Sequence, residues 1–446
     1  MVKKQILILG SGRSAFSLIE YLSERAIDNN WEILVVDRSA IETIKALNSK
    51  DIKTSDGDLT DDNYRQELIK ASDLVISMLP VRFHVMVAKD CITFGKNMVT
   101  ASYVTPEMES LHEEAVNAGV TILNEVGLDP GIDHMSAMKV IQEIQESGAE
   151  LLEFESFTGG LLAPEFENEN PWKYKFTWNP RNVVLASAGG SVKFLDHGMY
   201  KYIPYNKVFR RSELITLEKY GRFEGYANRD SLKYKELYGI ENVQTMYRGT
   251  FRRPGFCKAW DVFVQLGATD DSFIMEDSEN LTFRSYINSF LKYHPTDSVE
   301  LKLMHYLKLS QDDVEIMEKL EWLEIFSDIK VGLKDASPAK ILQHILERKW
   351  TLTEGERDMI VMWHRFVYLK DGEKKEMNSS MVCEGVDMYH TAMSKTVGLP
   401  VAITSEMILK GEFSKRGVVI PLIKELYIPV LKKLKENGIL FEEKHV

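Results

Sequence analysis

The sequence predicts a doubly wound α/β fold, and three observations predict it. A short apolar run ends in a glycine turn at residue 10, apolar runs then alternate with helical stretches as far as residue 125, and past Glu125 that rhythm is lost. Ile6 to Leu9 is apolar throughout and stops at Gly10, as a parallel strand buried on both faces does. Ser14 to Glu24 sets Phe16, Ile19 and Leu22 on one helical face. Ile33 to Val36 reads as a second strand, Ile41 to Leu47 as a helix and Ile52 to Ser55 as a weak third strand. Asp73 to Leu79 is a strong fourth strand stopped by Pro80, and Met98 to Ala101 and Val120 to Asn124 complete the series. Strands that alternate with helices in this way build a parallel sheet with helices on both faces.

Beyond Glu125, residues 130 to 260 mix helix, aromatic-rich strands and loops such as Ala163-Pro164-Glu165. Residues 275 to 355 read as mainly helical: Leu301, Met304 and Leu307, then Met317, Leu320 and Leu323, recur at helical spacing and are expected in the core. Two β-rich runs, Met359 to Leu369 and Lys374 to Val386, flank Asp371-Gly372, a pair suited to a hairpin turn. From Met388 the chain reads as helical, with Pro400 starting or kinking the helix. Internal repeats and low-complexity linkers are absent from the sequence, so the domains are expected to interleave.

Composition narrows the function. With 446 residues, the length suggests about three domains at roughly 150 residues each. A net charge of -12 argues against a nucleic-acid partner but leaves room for a locally basic site. The 3 cysteines, Cys91, Cys257 and Cys383, form no disulfide framework or metal-ligand spacing and suit a reducing compartment. The 10 histidines show no H-E-x-x-H spacing, so no metal is expected. The apolar run after Lys3-Lys4 is too short for a signal peptide, and none approaches the ~20 residues of a membrane span. A cytoplasmic protein without a membrane partner is expected.

Gly10-Ser11-Gly12-Arg13-Ser14-Ala15 follows a strand and opens a helix, matching G-x-G-x-x-G/A. Gly10 permits the tight turn, Gly12 lets backbone approach a pyrophosphate, and Ala15 allows close packing of helix on sheet. The helix N-terminus offers N–H groups and partial positive charge to the phosphates. Asp37 ends the second strand, where an acid binds the ribose hydroxyls and disfavours a 2′-phosphate. Arg38 follows and offsets that repulsion, so the cofactor is NAD or NADP, with Asp37 favouring NAD. Asp58, after Gly57, is expected near the adenine, and Ser77 and Leu79 near the switch point of the sheet. The fold expected is therefore a Rossmann-type doubly wound parallel sheet with an interleaved α/β substrate domain and a helical insertion.

The fifth strand ends in Thr100-Ala101-Ser102-Tyr103 and the sixth in Asn124-Glu125-Val126-Gly127-Leu128-Asp129-Pro130-Gly131-Ile132-Asp133-His134. This last run resembles the saccharopine dehydrogenase family, specifically its glutamate-forming members, the saccharopine reductases of the aminoadipate pathway of lysine metabolism. The likeness continues through Gly159-Gly160-Leu161-Leu162-Ala163-Pro164-Glu165, and through Asn170-Pro171-Trp172-Lys173-Tyr174-Lys175-Phe176-Thr177-Trp178. It also takes in Asn228-Arg229-Asp230-Ser231, Arg248-Gly249-Thr250-Phe251-Arg252 and Gly355-Glu356-Arg357-Asp358-Met359. The resemblance implies a dinucleotide domain of residues 1–125 and 390–446. It implies an α/β substrate and dimerisation domain of 126–265 and 356–389, a helical insertion of 266–355, and a homodimer.

It also implies hydride removal from the side-chain carbon of saccharopine that bears the secondary amine. The resulting imine hydrolyses to glutamate and aminoadipate semialdehyde, and the reverse reaction is a reductive condensation. Three carboxylates on the substrate call for arginines, which bind them in bidentate fashion. By resemblance Arg229 is the substrate-binding arginine, and Arg252 and Arg253 are further candidates. Ser102, Tyr103 and Thr250 are expected to contact substrate, Asp129 to bind its ammonium, and Leu128 to border the cofactor. Trp178 is either an apolar wall over the ligand or a core residue. Asp129 and Tyr103 are the catalytic candidates, with His134 a third possible base or a structural residue. The chain departs from the family's NADP-using fungal members, whose second strand ends without the acid of Asp37. Two rivals stand beside this reading: a carboxyspermidine-type dehydrogenase reducing a related imine, and a non-catalytic dinucleotide-binding sensor.

Overall fold

Apolar strands with no polar face need cover on both sides, and the first unit of the structure supplies it. The structure is a computed structural model; it describes residues 3–37, 47, 52–186, 190–310 and 312–446. The chain divides into two compact units, Met1–Leu151 with Tyr368–Val446, and Leu152–Val367. This division differs from the three segments expected from the sequence. Residues 126–151 and 368–389 fall in the first unit, and the helices between 283 and 350 belong to the second unit.

In the first unit the strands are β1 (Lys4–Leu9), β2 (Trp31–Val36), β3 (Ile52–Ser55), β4 (Leu74–Ser77), β5 (Asn97–Val99) and β6 (Thr121–Leu123). They form a parallel sheet in the order β6, β5, β4, β1, β2, β3, the doubly wound order with its switch point between β1 and β4. The expected strands are all present, with the fourth to sixth shorter than read. Most of the helix expected over Ile41 to Leu47 lies outside the described residues. This sheet has one more strand, which the sequence does not predict. Gly417–Val419, in a tail expected to be helical, pairs parallel with β6, and Glu442–His445 is a further strand. The tail also forms the helix Ala392–Lys410, which starts before Pro400 and continues through it. Gly398 lets that helix meet Phe16–Asn29 closely: a Cβ there would stand 2.8 Å from Leu18 N. Glu406 fixes the pair, accepting from Tyr21 (2.7 Å), Lys410 (2.6 Å) and Lys433 (2.9 Å). Burial opposes its ionisation, but these hydrogen bonds outweigh it and hold the carboxyl down to about 2.

The second unit is built on β7 (Glu150–Leu162), all but the first two residues of which belong to it. After β8 (Val192–Asp196), β9 (Met199–Ile203), β10 (Ser212–Leu217) and β11 (Gly221–Ala227), β12 (Thr245–Arg252) lies parallel to β7, and β13 (Asp358–Lys370) flanks the other side. The Phe157 ring lies where Cβ atoms at Gly225 and Gly249 would stand, so both strands need glycine there. Trp172, Tyr174, Phe176, Phe256, Trp260 and Trp350 are all buried and pack edge to face or stacked. In the helix Val299–Leu307 the buried stripe is Val299 and Leu303, whereas Leu301 is exposed: the expected face is rotated. The turn after β13 is as expected, with Asp371 and Gly372 at φ 54° and 81°, the two left-handed residues of a type I′ turn.

Candidate active site

At the C-terminal ends of β1, β2 and β4 the glycine turn is tied down by its neighbours. Gly10 has φ 96°, and a Cβ there would lie 2.9 Å from Met78 O, so only glycine fits. Its N–H donates to Val36 O at 2.9 Å, and Met78 N donates to Leu9 O at 2.8 Å. A Cβ on Gly12 would meet nothing within 4 Å: the space above the turn is clear where a pyrophosphate would approach. Ala15 is buried and begins the helix Phe16–Asn29 without a side-chain cap. Arg13 is exposed and Ser14 half-buried beside it. Asp37 accepts from Ser11 N at 2.5 Å and Ser11 Oγ at 3.1 Å, so it braces the turn. Arg38 lies outside the described residues. Gly57 is packed against the Tyr64 ring, and exposed Asp58 accepts from Thr60 N and Oγ1 at 3.0 and 2.7 Å.

The same edge of the sheet carries the residues expected to reach substrate. Ser77, at the end of β4, is buried, and its Oγ lies 2.8 Å from His84 Nδ1; His84 Nε2 lies 2.7 Å from Ser102 Oγ. Burial pushes the His84 imidazole down to about 4. Leu79 is half-buried beside the turn. Nothing in the sequence marks His84, a histidine four residues after the strand-ending Pro80.

The loop after β6 is compact because two glycines touch. A Cβ on Gly131, at φ 145°, would fall on the Gly127 backbone, and one on Gly127 would stand 2.9 Å from Ala101 Cβ. Gly127 N donates to Pro130 O and Ile132 N to Gly127 O, both at 2.9 Å. The loop holds Leu128 buried and Asp129 half-buried, and Tyr103 Oη donates to Asp129 Oδ1 at 2.9 Å. The two catalytic candidates are therefore one hydrogen-bonded pair. His134 is buried, 2.9 Å from the buried Glu125 Oε2, while Glu125 Oε1 accepts from Val104 N at 2.9 Å. That imidazole and carboxylate brace the loop from beneath.

In the second unit the arginines separate by partner. Arg253 is committed: its Nε donates to Glu167 at 2.6 Å and its Nη1 to Tyr220 O at 2.8 Å. Arg252 is buried, donates from Nη1 to Phe251 O at 2.8 Å, and has no carboxylate partner among the described residues. Its Nε and the Tyr174 hydroxyl are buried with no hydrogen-bond partner among the described residues. The guanidinium stands 4.8 Å from the Tyr174 ring and 5.3 Å from that of Phe256. Burial raises the Tyr174 phenol to about 12 and keeps it a donor. An uncompensated buried cation beside a donor hydroxyl has the chemistry of a carboxylate site. Arg229 is exposed with φ 51°, in a loop held by Lys193 N to Arg229 O (3.0 Å) and Arg248 N to Ser231 Oγ (2.9 Å). Thr250 and Trp178 are half-buried. Among the described residues no cluster of His, Cys, Asp or Glu is arranged to hold a metal ion, and no helix is long and apolar enough to cross a membrane.

A glycine cradle at the switch point of a doubly wound sheet, with an acid at the end of β2, defines a dinucleotide-binding protein of the oxidoreductase type. The chain belongs to the saccharopine dehydrogenase family: its NADP binding domain matches residues 6–123 and its C-terminal domain residues 127–439. The chain is 34% identical to the saccharopine dehydrogenase [NADP(+), L-glutamate-forming] of Schizosaccharomyces pombe, over 98% of each protein. It is 35% identical to the mitochondrial alpha-aminoadipic semialdehyde synthase of Mus musculus over 98% of the chain, but spans about half (47%) of that relative's length. Apo saccharopine dehydrogenase (L-Glu forming) from Saccharomyces cerevisiae superimposes with a TM-score of 0.88 at 32% identity, covering 99% of this chain and 100% of that one.

Proposed function

We propose that the chain is a nicotinamide-dinucleotide-dependent saccharopine dehydrogenase of the glutamate-forming type, acting on the CH–NH group of saccharopine or catalysing the reverse condensation. The single observation that carries this reading is Arg252, a buried cation without a carboxylate partner among the described residues, in a family whose named members act on a tricarboxylate. The turn Gly10–Ser14 with Asp37, Asp58, Ser77, Leu79 and Leu128 would hold the cofactor, which supplies a hydride acceptor when bound. Arg252 and Arg229 bind carboxylates, with Ser102 and Thr250 as further hydrogen-bond partners and Trp178 as the apolar wall. Asp129 holds the substrate amine, and the Tyr103–Asp129 pair takes the proton that leaves its nitrogen as the C–H hydride departs. Water then adds to the C=N carbon, the C–N bond breaks, and glutamate leaves with the nitrogen. The pair is suited to both steps because one group donates to the other and both reach the surface of the loop.

The reading takes NAD or NADP as cofactor, with Asp37 favouring NAD even though the fungal saccharopine dehydrogenases are named for NADP(+). It also takes the chain as cytoplasmic, which three buried cysteines outside any disulfide support. A homodimer is supported by the exposed Met199, Tyr200, Tyr202 and Leu214 on β9 and β10, and light scattering tests it. The test of function offers saccharopine with NAD or NADP, follows reduced-cofactor absorbance and identifies the amino-acid product. Glutamate is expected. Lysine as product, or turnover only of a polyamine-derived imine, overturns the reading.

A further inference from the structure

Two serines used above come from different strands yet share one side chain. His84 opens the helix His84–Thr93, with Ser77 on its Nδ1 and Ser102 on its Nε2. His84 and Ser77 are buried, and Ser102 is half-buried. A neutral imidazole donates from one nitrogen and accepts at the other, so it treats the two hydroxyls oppositely. The tautomer therefore decides what Ser102 presents outward. If Nε2 accepts, the single proton of Ser102 goes to the ring and only lone pairs face the ligand, which repels a carboxylate. If Nε2 carries the proton, the Ser102 proton stays free to donate.

Resting on the function proposed above, we propose that His84 is a positioning residue whose Nε2–H donates to Ser102 Oγ while Nδ1 accepts from Ser77, making Ser102 a hydrogen-bond donor to a carboxylate of the substrate. The arrangement holds over the working pH range, because burial keeps the imidazole neutral down to about 4. The structural logic is that of a second group fixing the proton on the first.

Two measurements test this. Nitrogen NMR of histidine-labelled protein, with the His84 signals identified by their loss in His84→Asn, reads the tautomer directly without substrate. The Nε2–H form, unchanged between pH 6 and 8, is expected; an Nδ1–H form overturns the proposal. Kinetics supply the second test. His84→Asn keeps a partner for Ser77 only, and it should raise KM for saccharopine about tenfold, the size of one lost hydrogen bond to a charged group, with a smaller change in kcat. His84→Gln sets an amide nitrogen at the Nε2 position and should recover most of that loss. In a Ser102→Ala background, His84→Asn should change KM by less than about twofold, because the two act through one contact. Multiplying effects in the double variant overturn the proposal. Wild-type protein inert toward saccharopine, with the Nε2–H form intact, instead overturns the functional reading and with it the ligand assigned to Ser102.

Discussion

The two units handle buried polarity in opposite ways. In the first, the site groups satisfy one another: Ser11 with Asp37, Ser77 and Ser102 with His84, Tyr103 with Asp129, and His134 with Glu125. In the second, polar atoms are buried without partners. Of the ten buried side-chain atoms that find none among the described residues, eight lie between Thr158 and Trp350, including Arg252 Nε and Tyr174 Oη. Fixed donors at a phosphate cradle need no rearrangement when the ligand arrives, whereas an uncompensated cation lowers the stability of the free protein and recovers that cost on binding an anion. On the function proposed above, the first unit is organised in advance and the second is the one a ligand would complete.

The sharpest way to break this contrast is Arg252→Met. Saccharopine KM should rise about a thousandfold, the loss expected for one partner of a desolvated charge pair. The melting temperature without ligand should hold or rise, since an unpaired buried charge is removed. A fall in that temperature would show that Arg252 is already satisfied. Arg253→Met is the converse case in the same unit. It breaks a buried pair with Glu167 and should cost about 3 kcal/mol in denaturant unfolding, with little change in KM. The satisfied unit should instead show itself through pH. His84 titrates near 6.5 when unfolded and about 4 when folded, so the unfolded state binds the extra proton between those values. Stability should fall as pH drops from 6.5 to 4, by at most about 3 kcal/mol, and His84→Asn should flatten that slope in chemical denaturation. Asp37→Ala gives the smallest effect: a shift of about tenfold in dissociation constants towards NADP over NAD, read by cofactor fluorescence. An unchanged ratio would show that Asp37 serves the turn alone.

Local signals carried the fold. Gly10, Asp37 and the Asp371-Gly372 turn were legible because each demand is met within a few residues, by a left-handed backbone or a strand end. The strand Gly417–Val419 was not, since three residues show no periodicity and their partner is Thr121–Leu123. The candidate site was legible where the chain itself brings groups together at strand ends, as at Tyr103 and Asp129. It was not where a third side chain links two strands, as His84 does. Nor does sequence distinguish Arg252 from Arg253: one ends β12 and the other follows it, and which of them meets Glu167 is a tertiary fact.

The strand Gly417–Val419 has a consequence for biosynthesis. Residues 152–367 leave the ribosome before it and form a unit of their own, whereas the cofactor-binding sheet, begun at Lys4, stays one strand short until residue 419 has emerged. The unit begun at β1 is thus finished only after residues 152–367 have been made. A nascent chain stalled short of residue 417 would contain every residue assigned to the cofactor and still expose an unpaired edge at β6, directly beside the loop that carries Asp129.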